Sequence, residues 1–413
     1  DNVAYILADA AVKLLLIEGS ASWQRLFPLR HKFTELTRIV TVQKIEDKNI
    51  NDARLVTLDN WLSGHSQKVE TPSYPPETLA SIVYTSGTTG RPKGVMLSHQ
   101  NILTNTQAVA QAAAESRADF STHDLFLSFL PLSHMLERTA GYYLPMFTGA
   151  TVAYARSIPQ LNLDLTALSP TILISVPRIY EQVYSKIQNQ LEKKSWFARK
   201  LFFLTVEIGW QWFEYQQGRR HWQPLLLLWP LLQRSIAIPI LEKLGGRMRL
   251  AICGGAALPP KIDKLFVGLG LTLLQGYGLT ESSPVITVNR PHDNIPSSIG
   301  TALPGIDIQL SEDDELLTRS PCIMLGYWNN PSATEEVWDG RSHMQVYDQE
   351  WKQMYHDWVH LLCRRKEIQR PLLKYAVQNK LVNSHFLEQS LKKGILAFFK
   401  IRMRSKKIMR KSA

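Results

Sequence analysis

The chain has 413 residues, of which 45% are hydrophobic, so it is long enough to bury a sizeable core and to form more than one domain or subdomain. The formal net charge of +11 belongs to the tail, because residues 341–413 hold 17 Lys+Arg and 5 Asp+Glu, whereas residues 1–340 hold 30 and 31. The composition of the body therefore gives no reason to expect a specific nucleic-acid partner.

The cysteines and the apolar runs exclude two further classes of protein. Cys253, Cys322 and Cys363 are far apart and form no CxxC pair, which argues against a disulfide framework and a structural zinc site and favours a reducing, cytoplasmic setting. The longest apolar run, residues 224–232, falls far short of the roughly 20 residues that cross a bilayer. The opening "DNVAYILADA" shows no signal peptide and resembles the middle of a domain.

The first third of the chain alternates helical and strand patterns. "VAYILADAAV" predicts a helix, and "KLLLIE" and "RIVTVQ" predict strands, which is typical of α/β layers with a largely parallel sheet. "LASIVYTSG" then predicts a strand that leads into a Gly/Thr loop, and "SHQNILTNTQAVAQAAA" predicts a helix after that loop. The local order predicted here is strand, glycine-rich loop, helix.

The remaining elements continue this pattern and then change. "DLFLSFLPLSH" and "TILISVPRIYEQVYSKI" predict buried strands followed by turns or helices, and residues 196–244 predict a long helical stretch rich in Trp, Leu and Phe. "MRLAICGGAALPP" and "LTLLQGYGLTESSPV" predict two more strand-then-loop units. From about residue 295 to 340, short strands with Gly and Pro turns predict a small β subdomain. The fold class predicted is α/β, with two packed, mostly parallel sheets.

The loop "YTSGTTGRPKG", residues 84–94, has the composition of a phosphate-binding loop. It is not a Walker loop, because Lys93 lies between Pro92 and Gly94 and the GxxxxGK[ST] spacing fails. Glycines permit close backbone approach, and hydroxyl, amide and lysine donors can bind phosphate oxygens. The residues of this type are Thr85, Ser86, Gly87, Thr88, Thr89, Gly90, Lys93 and Gly94. On composition alone, a mobile polar loop is an equal alternative.

This string resembles the signature loop of the adenylate-forming, AMP-binding superfamily, which contains acyl-CoA synthetases, luciferases and adenylation domains of peptide synthetases. Five more segments are similar to family motifs and follow in the family's order: "PLSHMLER", "SVPRIYEQV", "CGGAALP", "QGYGLTES" and "GYWNNPSAT". The resemblance extends from the first residue to about residue 340. It implies a layered αβαβα large domain that activates a carboxylate with ATP and Mg²⁺ and passes the acyl group to CoA.

The resemblance also implies roles for individual residues. Thr85 to Thr89 and Lys93 would hold the β- and γ-phosphates, Glu281 would coordinate Mg²⁺, and Thr280 would hydrogen-bond the α-phosphate. His134 would lie beside the carboxylate, and Tyr277 would stack on adenine. The remaining residues expected at the nucleotide are Gly254, Gly255, Ala256, Gln275, Gly276 and Gly278. Taken singly, a Tyr or His is more often a packing residue, and Glu281 could be a helix-start carboxylate.

The segment that follows "SVPRIYEQVYSKI" resembles the long-chain fatty acyl-CoA synthetases, so a long-chain fatty acid is the expected substrate. "WFARKLFFLTVEIGWQWF" supplies large apolar side chains for an acyl tunnel, with basic residues at their flanks. The same segment would suit peripheral contact with the inner face of a membrane. An ordinary amphipathic pair of core helices is an equal alternative. The sequence does not indicate an oligomeric state.

The resemblance weakens after "VWDG". Asp348 stands where the family has its ribose-binding aspartate, but Val346 and Tyr347 replace the Thr-Gly before it. "CRRKEI" resembles the family's hinge except that Cys363 replaces its glycine, and this resemblance implies hinge roles for Arg364 and Lys366. We therefore expect a large domain over residues 1–362, incomplete at its start, and a hinge with a degenerate, basic remnant of the lid domain over 363–413. Impaired ligation follows as a hypothesis, and a non-catalytic nucleotide- or acyl-binding remnant is its alternative.

Overall fold

The computed structural model describes residues 2–47, 50, 52–63, 73–86, 91–310 and 315–338, and the backbone of 344–346. Its strands are β1 Leu14–Ile17, β2 Arg38–Thr41, β3 Leu55–Thr57, β4 Leu79–Thr85, β5 Lys93–Ser98, β6 Leu125–Ser128, β7 Thr151–Tyr154, β8 Ile172–Ser175, β9 Leu250–Cys253, β10 Leu273–Gly278, β11 Val285–Val288, β12 Thr301–Ala302, β13 Asp307–Leu310, β14 Leu316–Arg319, β15 Gly326–Tyr327 and β16 Met344–Val346. Its α-helices are α1 Asn2–Asp9, α2 Ser20–Leu26, α3 Leu58–Leu62, α4 His99–Glu115, α5 Leu144–Thr148, α6 Leu161–Leu168, α7 Pro177–Glu192, α8 Trp196–Gln216, α9 Trp229–Leu232, α10 Ile238–Leu241, α11 Pro260–Gly268 and α12 Pro331–Val337.

A seven-stranded sheet forms the centre of the fold, in the order β12-β11-β10-β9-β8-β6-β7. The five strands from β10 to β7 are parallel, and β11 and β12 add to the β10 edge in antiparallel pairing. All four residues of β8 are buried, as expected for a short parallel strand that is covered on both faces. The predicted α/β class with mostly parallel strands is confirmed for this sheet.

Three smaller sheets surround the central one. The strands β1, β2 and β3 form a parallel sheet near the start of the chain, β4, β5 and β15 form an antiparallel one, and β13, β14 and β16 form another. Within residues 295–340, β12 therefore extends the central sheet and β15 pairs with β5. The division of the chain into domains stays a prediction.

The glycine-rich loop connects two antiparallel strands, which corrects the predicted order of strand, loop, helix. Thr85 at the end of β4 pairs with Lys93 at the start of β5, so the loop is the tip of a hairpin. The predicted helix, α4, begins only after β5, at an N-cap where the Ser98 side chain accepts from the Asn101 amide and the Asn101 side chain accepts from the Ser98 amide. Loop and helix N-terminus are consequently six residues apart, which is the length of β5.

The long helical stretch predicted after residue 196 forms two packed segments, α8 and Pro224–Leu244. Trp229 and Leu232 of the second segment are buried in the same apolar cluster as Phe202 and Val206 of α8. Gly209 allows the close approach, because a Cβ there would lie 1.9 Å from the Gly268 carbonyl oxygen of α11 and 2.5 Å from the Trp229 ring. The predicted amphipathic helix pair is thus part of the packing of this region.

Candidate active site

A cavity of about 280 Å³ lies between α4, the segment around His134, and the ends of β9 and β10. Its position at the carboxyl ends of parallel strands is the usual place for a ligand in an open α/β sheet. One end is lined by backbone and polar groups and the other by apolar side chains. Of the residues selected from the sequence, the lining includes His134, Gly254, Gly255, Gly276, Tyr277, Gly278, Thr280 and Glu281.

Glycines in β10 bring backbone to the cavity wall. A Cβ on Gly276 would lie 3.1 Å from the Thr287 carbonyl oxygen, and a Cβ on Gly278 would lie 1.8 Å from the Pro284 carbonyl oxygen. Both contacts are with the returning chain around β11, so the hairpin closes only when these positions lack side chains. The result is a flat backbone surface beside Thr280 and Glu281.

The turn Thr280–Ser282, which presents Glu281, is held from behind by α4 and by the chain before β15. The buried amide of Asn105 donates to the Val285 carbonyl oxygen at 2.8 Å and accepts from the Val285 N–H at 3.1 Å. The Met324 N–H donates to the Glu281 carbonyl oxygen at 2.8 Å. These bonds fix the backbone of Glu281 and leave its side chain to face the cavity.

The structure brings Glu281 and Lys93 together through a residue that the sequence analysis did not select, Tyr327. The Tyr327 hydroxyl donates to Glu281 Oε1 at 2.7 Å, and Lys93 Nζ lies 5.1 Å from the centre of the Tyr327 ring. Burial, followed by the nearby Glu281 carboxylate, raises the pKa of Tyr327, so the phenol stays protonated and continues to donate. The signal that could have identified it is its place in "GYWNNP".

The remaining residues of the predicted phosphate site lie partly within and partly outside the part of the chain that the structure describes. Thr85 ends β4, the exposed Ser86 follows it, and Lys93 begins β5, so these three lie at the base of the hairpin tip. The predicted residues Gly87, Thr88, Thr89, Gly90, Asp348 and Arg364 lie outside the described residues. Their roles stay predictions.

His134 and the residues expected around adenine differ in their exposure and in whether they line the cavity. His134 is exposed at the cavity, and its Nδ1 accepts from the Leu136 N–H at 3.3 Å, which leaves Nε2 to face a ligand. Tyr277 is buried yet lines the cavity. Ala256 is exposed outside the lining, and Gln275 is buried with its side chain donating to Asp263 Oδ2 at 2.7 Å. A packing role therefore accounts for Gln275 without a ligand.

One apolar wall of the cavity is formed by α4. Val109, Ala112, Ala113 and Ser116 line it at helical spacing, and Phe120 follows them after the helix ends. The apolar tunnel was predicted at α8, but the lining of this cavity includes no residue of α8, so that prediction gains no support here. The stripe of small residues in "AVAQAAAES" was the signal for α4.

The donors at the polar end fit a hard divalent cation bound together with phosphate. Among the described residues, no group of three or more His, Cys, Asp and Glu side chains could hold a metal by itself. Mg²⁺ usually takes one or two carboxylates and completes its octahedron with waters and substrate phosphates. Glu281 supplies one such carboxylate, next to the lysine expected to bind the same phosphates.

Fold and cavity together define an α/β protein with a ligand site at the carboxyl edge of its central sheet. Sequence comparison identifies the family: the profile of the AMP-binding enzyme family matches residues 1–328, and the chain belongs to this family. Solved structures agree in fold. An anthranilate CoA ligase in complex with anthranoyl-AMP aligns with 84% of this chain and 57% of its own at a TM-score of 0.61 and 19% identity. A long-chain-fatty-acid-CoA ligase from Archaeoglobus fulgidus aligns with 85% of this chain and 63% of its own, at a TM-score of 0.59 and 21% identity.

Curated relatives in the family carry related names. The probable acyl-activating enzyme 16, chloroplastic, of Arabidopsis thaliana is 32% identical over 331 residues, which cover 70% of this chain and 44% of that protein. The long-chain-fatty-acid–CoA ligase FadD15 of Mycobacterium tuberculosis is 31% identical over 261 residues, which cover 62% of this chain and 42% of that protein. The chain therefore spans less than half the length of these relatives.

Proposed function

We propose that this chain forms the nucleotide- and acid-binding part of an AMP-forming long-chain fatty acid–CoA ligase. The observation that supports the proposal is the continuity of one cavity from Thr280 and Glu281 to the apolar stripe of α4. An acyl chain would lie along α4, and its carboxylate would lie near His134 and Thr280. Relatives named as long-chain acyl-CoA synthetases and ligases support the choice of substrate.

The proposed reaction has two steps. An oxygen of the fatty acid carboxylate attacks the α-phosphorus of ATP, the bond to the β-phosphate oxygen breaks, and pyrophosphate leaves. The thiolate of CoA then attacks the acyl carbon, and AMP leaves with both electrons of the carbon–oxygen bond. Mg²⁺, when bound, would neutralise phosphate charge. Lys93 and Thr280 would orient the phosphates, and the glycine-lined backbone of β10 would admit the nucleotide.

We further propose that this chain turns over slowly. Val346 and Tyr347 replace the family's Thr-Gly before Asp348, and Cys363 replaces the glycine of the family's hinge. Substitutions at the ribose-binding segment and at the hinge would weaken the positioning of the nucleotide and raise the barrier of adenylation. The alternative function, a non-catalytic protein that binds nucleotide or acyl chains, is favoured by the same observation.

Exchange of labelled pyrophosphate into ATP tests both proposals with the purified chain, Mg²⁺ and palmitate. Palmitate-dependent exchange that disappears in Glu281→Gln and persists in the exposed control Glu335→Gln is the result expected for a ligase. Binding of ATP, measured by calorimetry, without any exchange would identify the non-catalytic alternative. Absence of both binding and exchange in a folded chain would overturn the assignment of the site.

A further inference from the structure

The surface formed by α8, Pro224–Leu244 and the chain that joins them exposes many large apolar side chains. We call it the apolar ridge and define it by its most exposed apolar side chains. These are Trp196, Phe197, Phe203, Trp222, Leu227 and Leu231. Leu227 and Leu231 are 71% and 68% exposed, and Trp196 is 66% exposed. Clusters of this kind on a protein surface mark a place where another molecule binds.

Within Pro224–Leu244, residues 224–232 are apolar on both their inner and their outer side. Leu226, Trp229 and Leu232 are buried, Trp229 and Leu232 in one cluster with residues of α8, whereas Leu227 and Leu231 are exposed. An ordinary surface helix would place polar residues on that outer side. Among the described residues this is the one helical segment long and apolar enough to cross a membrane, with a mean hydropathy of 1.5, and 22% of its apolar window is buried.

Charge indicates what covers the ridge. Residues 193–247 contain nine Lys+Arg and three Asp+Glu, although residues 1–340 as a whole are nearly neutral. Two of the three acids already pair with bases, Glu207 with Lys264 and Glu214 with Arg219. Exposed Lys193, Lys194 and Arg199 lie just before and at the start of α8, with one exposed acid, Glu192, beside them, so the apolar side chains of this end lie near a net positive charge.

Lysine and tryptophan meet directly at this edge, where Lys200 Nζ lies 5.1 Å from the centre of the Trp196 ring. Tryptophan prefers the boundary between lipid headgroups and acyl chains, and lysine prefers anionic headgroups. Interfaces between proteins are instead depleted in lysine. The combination therefore fits a lipid surface better than a protein partner.

We propose that the apolar ridge docks the protein onto the surface of an anionic lipid bilayer. Leu227, Leu231 and the exposed aromatic residues enter the headgroup boundary, and the lysines at the start of α8 contact the headgroups. The segment lies on the bilayer rather than across it, because Trp229 and Leu232 are packed into the domain and would have to be torn from it to span. Docking goes beyond the proposed ligase reaction and does not depend on it.

Flotation of the full chain with vesicles tests the proposal in the absence of ATP and fatty acid. The vesicles are phosphatidylcholine, alone or with about 30 mol% phosphatidylglycerol. We expect the parent chain to float with the anionic vesicles. The double variant Leu227→Gln with Leu231→Gln should bind these vesicles at least about tenfold more weakly. Lys193→Gln with Lys200→Gln should weaken binding by a similar factor. Because all four side chains are exposed, the urea midpoints should not change.

The matched control is Leu103→Gln with Met146→Gln, two residues that are 53% and 61% exposed on α4 and α5. This variant should float like the parent chain. Equal flotation of the leucine variant and this control would overturn the proposal. That outcome is expected if the basic residues of 341–413 bind the vesicles by themselves. Failure of the parent chain to float would also overturn it. A dimer in the ultracentrifuge that the leucine variant abolishes would assign the ridge to a second copy of the chain.

Discussion

At the scale of single residues, the candidate site depends on a carboxylate, a phenol and a lysine from three separate parts of the chain. Glu281 follows β10, Tyr327 belongs to β15, and Lys93 begins β5. Pairing of β15 with β5 sets Tyr327 beside Val95, close to Lys93, and the hydroxyl then reaches Glu281. A metal-binding carboxylate held by such a hydrogen bond loses fewer orientations when the cation binds.

Replacement of Glu281 by Gln should remove the proposed metal ligand while it preserves the size of the side chain. We expect palmitate-dependent pyrophosphate exchange to fall by about 100-fold or more, because the phosphates lose the cation that neutralises them. Exchange measured over a range of Mg²⁺ concentrations checks this, with Glu335→Gln on α12 as the control. An unchanged Mg²⁺ dependence in Glu281→Gln would contradict the assignment of this carboxylate.

Tyr327→Phe deletes one hydroxyl and should act through Glu281. We expect the Mg²⁺ concentration for half-maximal exchange to rise by about 10- to 100-fold, the cost of one hydrogen bond to a charged group that holds a metal ligand. Electron paramagnetic resonance of Mn²⁺ with ATP provides a readout that does not depend on turnover. Tyr74→Phe, at an exposed tyrosine, is the control. Weaker folding with unchanged Mn²⁺ affinity would reduce Tyr327 to a packing residue.

At the scale of elements, α8 crosses α11 through two glycines. A Cβ on Gly209 would meet the Gly268 carbonyl oxygen at 1.9 Å, and a Cβ on Gly268 would meet the Val206 carbonyl oxygen at 2.5 Å. Backbone on both sides of the contact cannot move aside as a flexible side chain would. The Trp229 ring lies at the same contact, 2.5 Å from the position of a Gly209 Cβ, so the second segment packs against this crossing.

Gly209→Ala should force α8 and α11 apart. We expect a loss of about 2–4 kcal/mol in the free energy of unfolding, although alanine is the better helix former, because overpacking outweighs propensity here. Urea unfolding followed by circular dichroism measures the change. Gln216→Ala near the exposed end of α8 should stay within about 0.5 kcal/mol of the parent. Equal stability of Gly209→Ala and the parent would show that the helices can separate without loss of packing.

At the scale of the whole molecule, buried carboxyl groups make stability depend on pH in opposite directions. Burial raises the pKa of Glu137 to about 7, and burial likewise raises the pKa of Asp263 to about 7. Burial would also raise the pKa of Asp124, but hydrogen bonds from Arg249 and Thr171 outweigh it and hold that pKa at about 2. A carboxyl group whose pKa is raised by folding stabilises the fold fully at pH values below its pKa in the unfolded chain, which is near 4.5 for Glu137. This stabilisation is lost as the pH rises through the folded pKa of about 7.

Glu137→Gln should flatten this dependence between pH 5 and pH 7.5. The parent chain is expected to lose about 2.4 kcal/mol of unfolding free energy over this pH range from the Glu137 carboxyl alone, because an acid that is neutral in the fold becomes charged while buried. Urea unfolding at several pH values checks the slope. The exposed control Glu335→Gln should keep the slope of the parent chain. Identical slopes in Glu137→Gln and the parent would mean that this carboxyl already ionises in the fold.

Much of the fold was predictable because its strands are short apolar runs bounded by turns. The runs around β1, β2, β6, β8, β9 and β10 were predicted as strands, and the structure confirms them. The hairpin of β4 and β5 was missed, since the predicted helix was placed directly after the glycine-rich loop and no strand was assigned to "VML". Its pairing with β4 is a contact between segments that a glycine loop separates, and local propensity says nothing about such pairing.

The motifs of this chain determined by themselves that it belongs to the AMP-binding enzymes, because residue types and their order are properties of the sequence. Only the tertiary structure decided which side chains meet. It joined Tyr327 to Glu281 across 46 residues of sequence, made α4 rather than α8 one wall of the cavity, and engaged Gln275 in packing. It also left Leu227 and Leu231 exposed while Trp229 is buried, because helix packing selects one side of a stretch, residues 224–232, that is apolar on both.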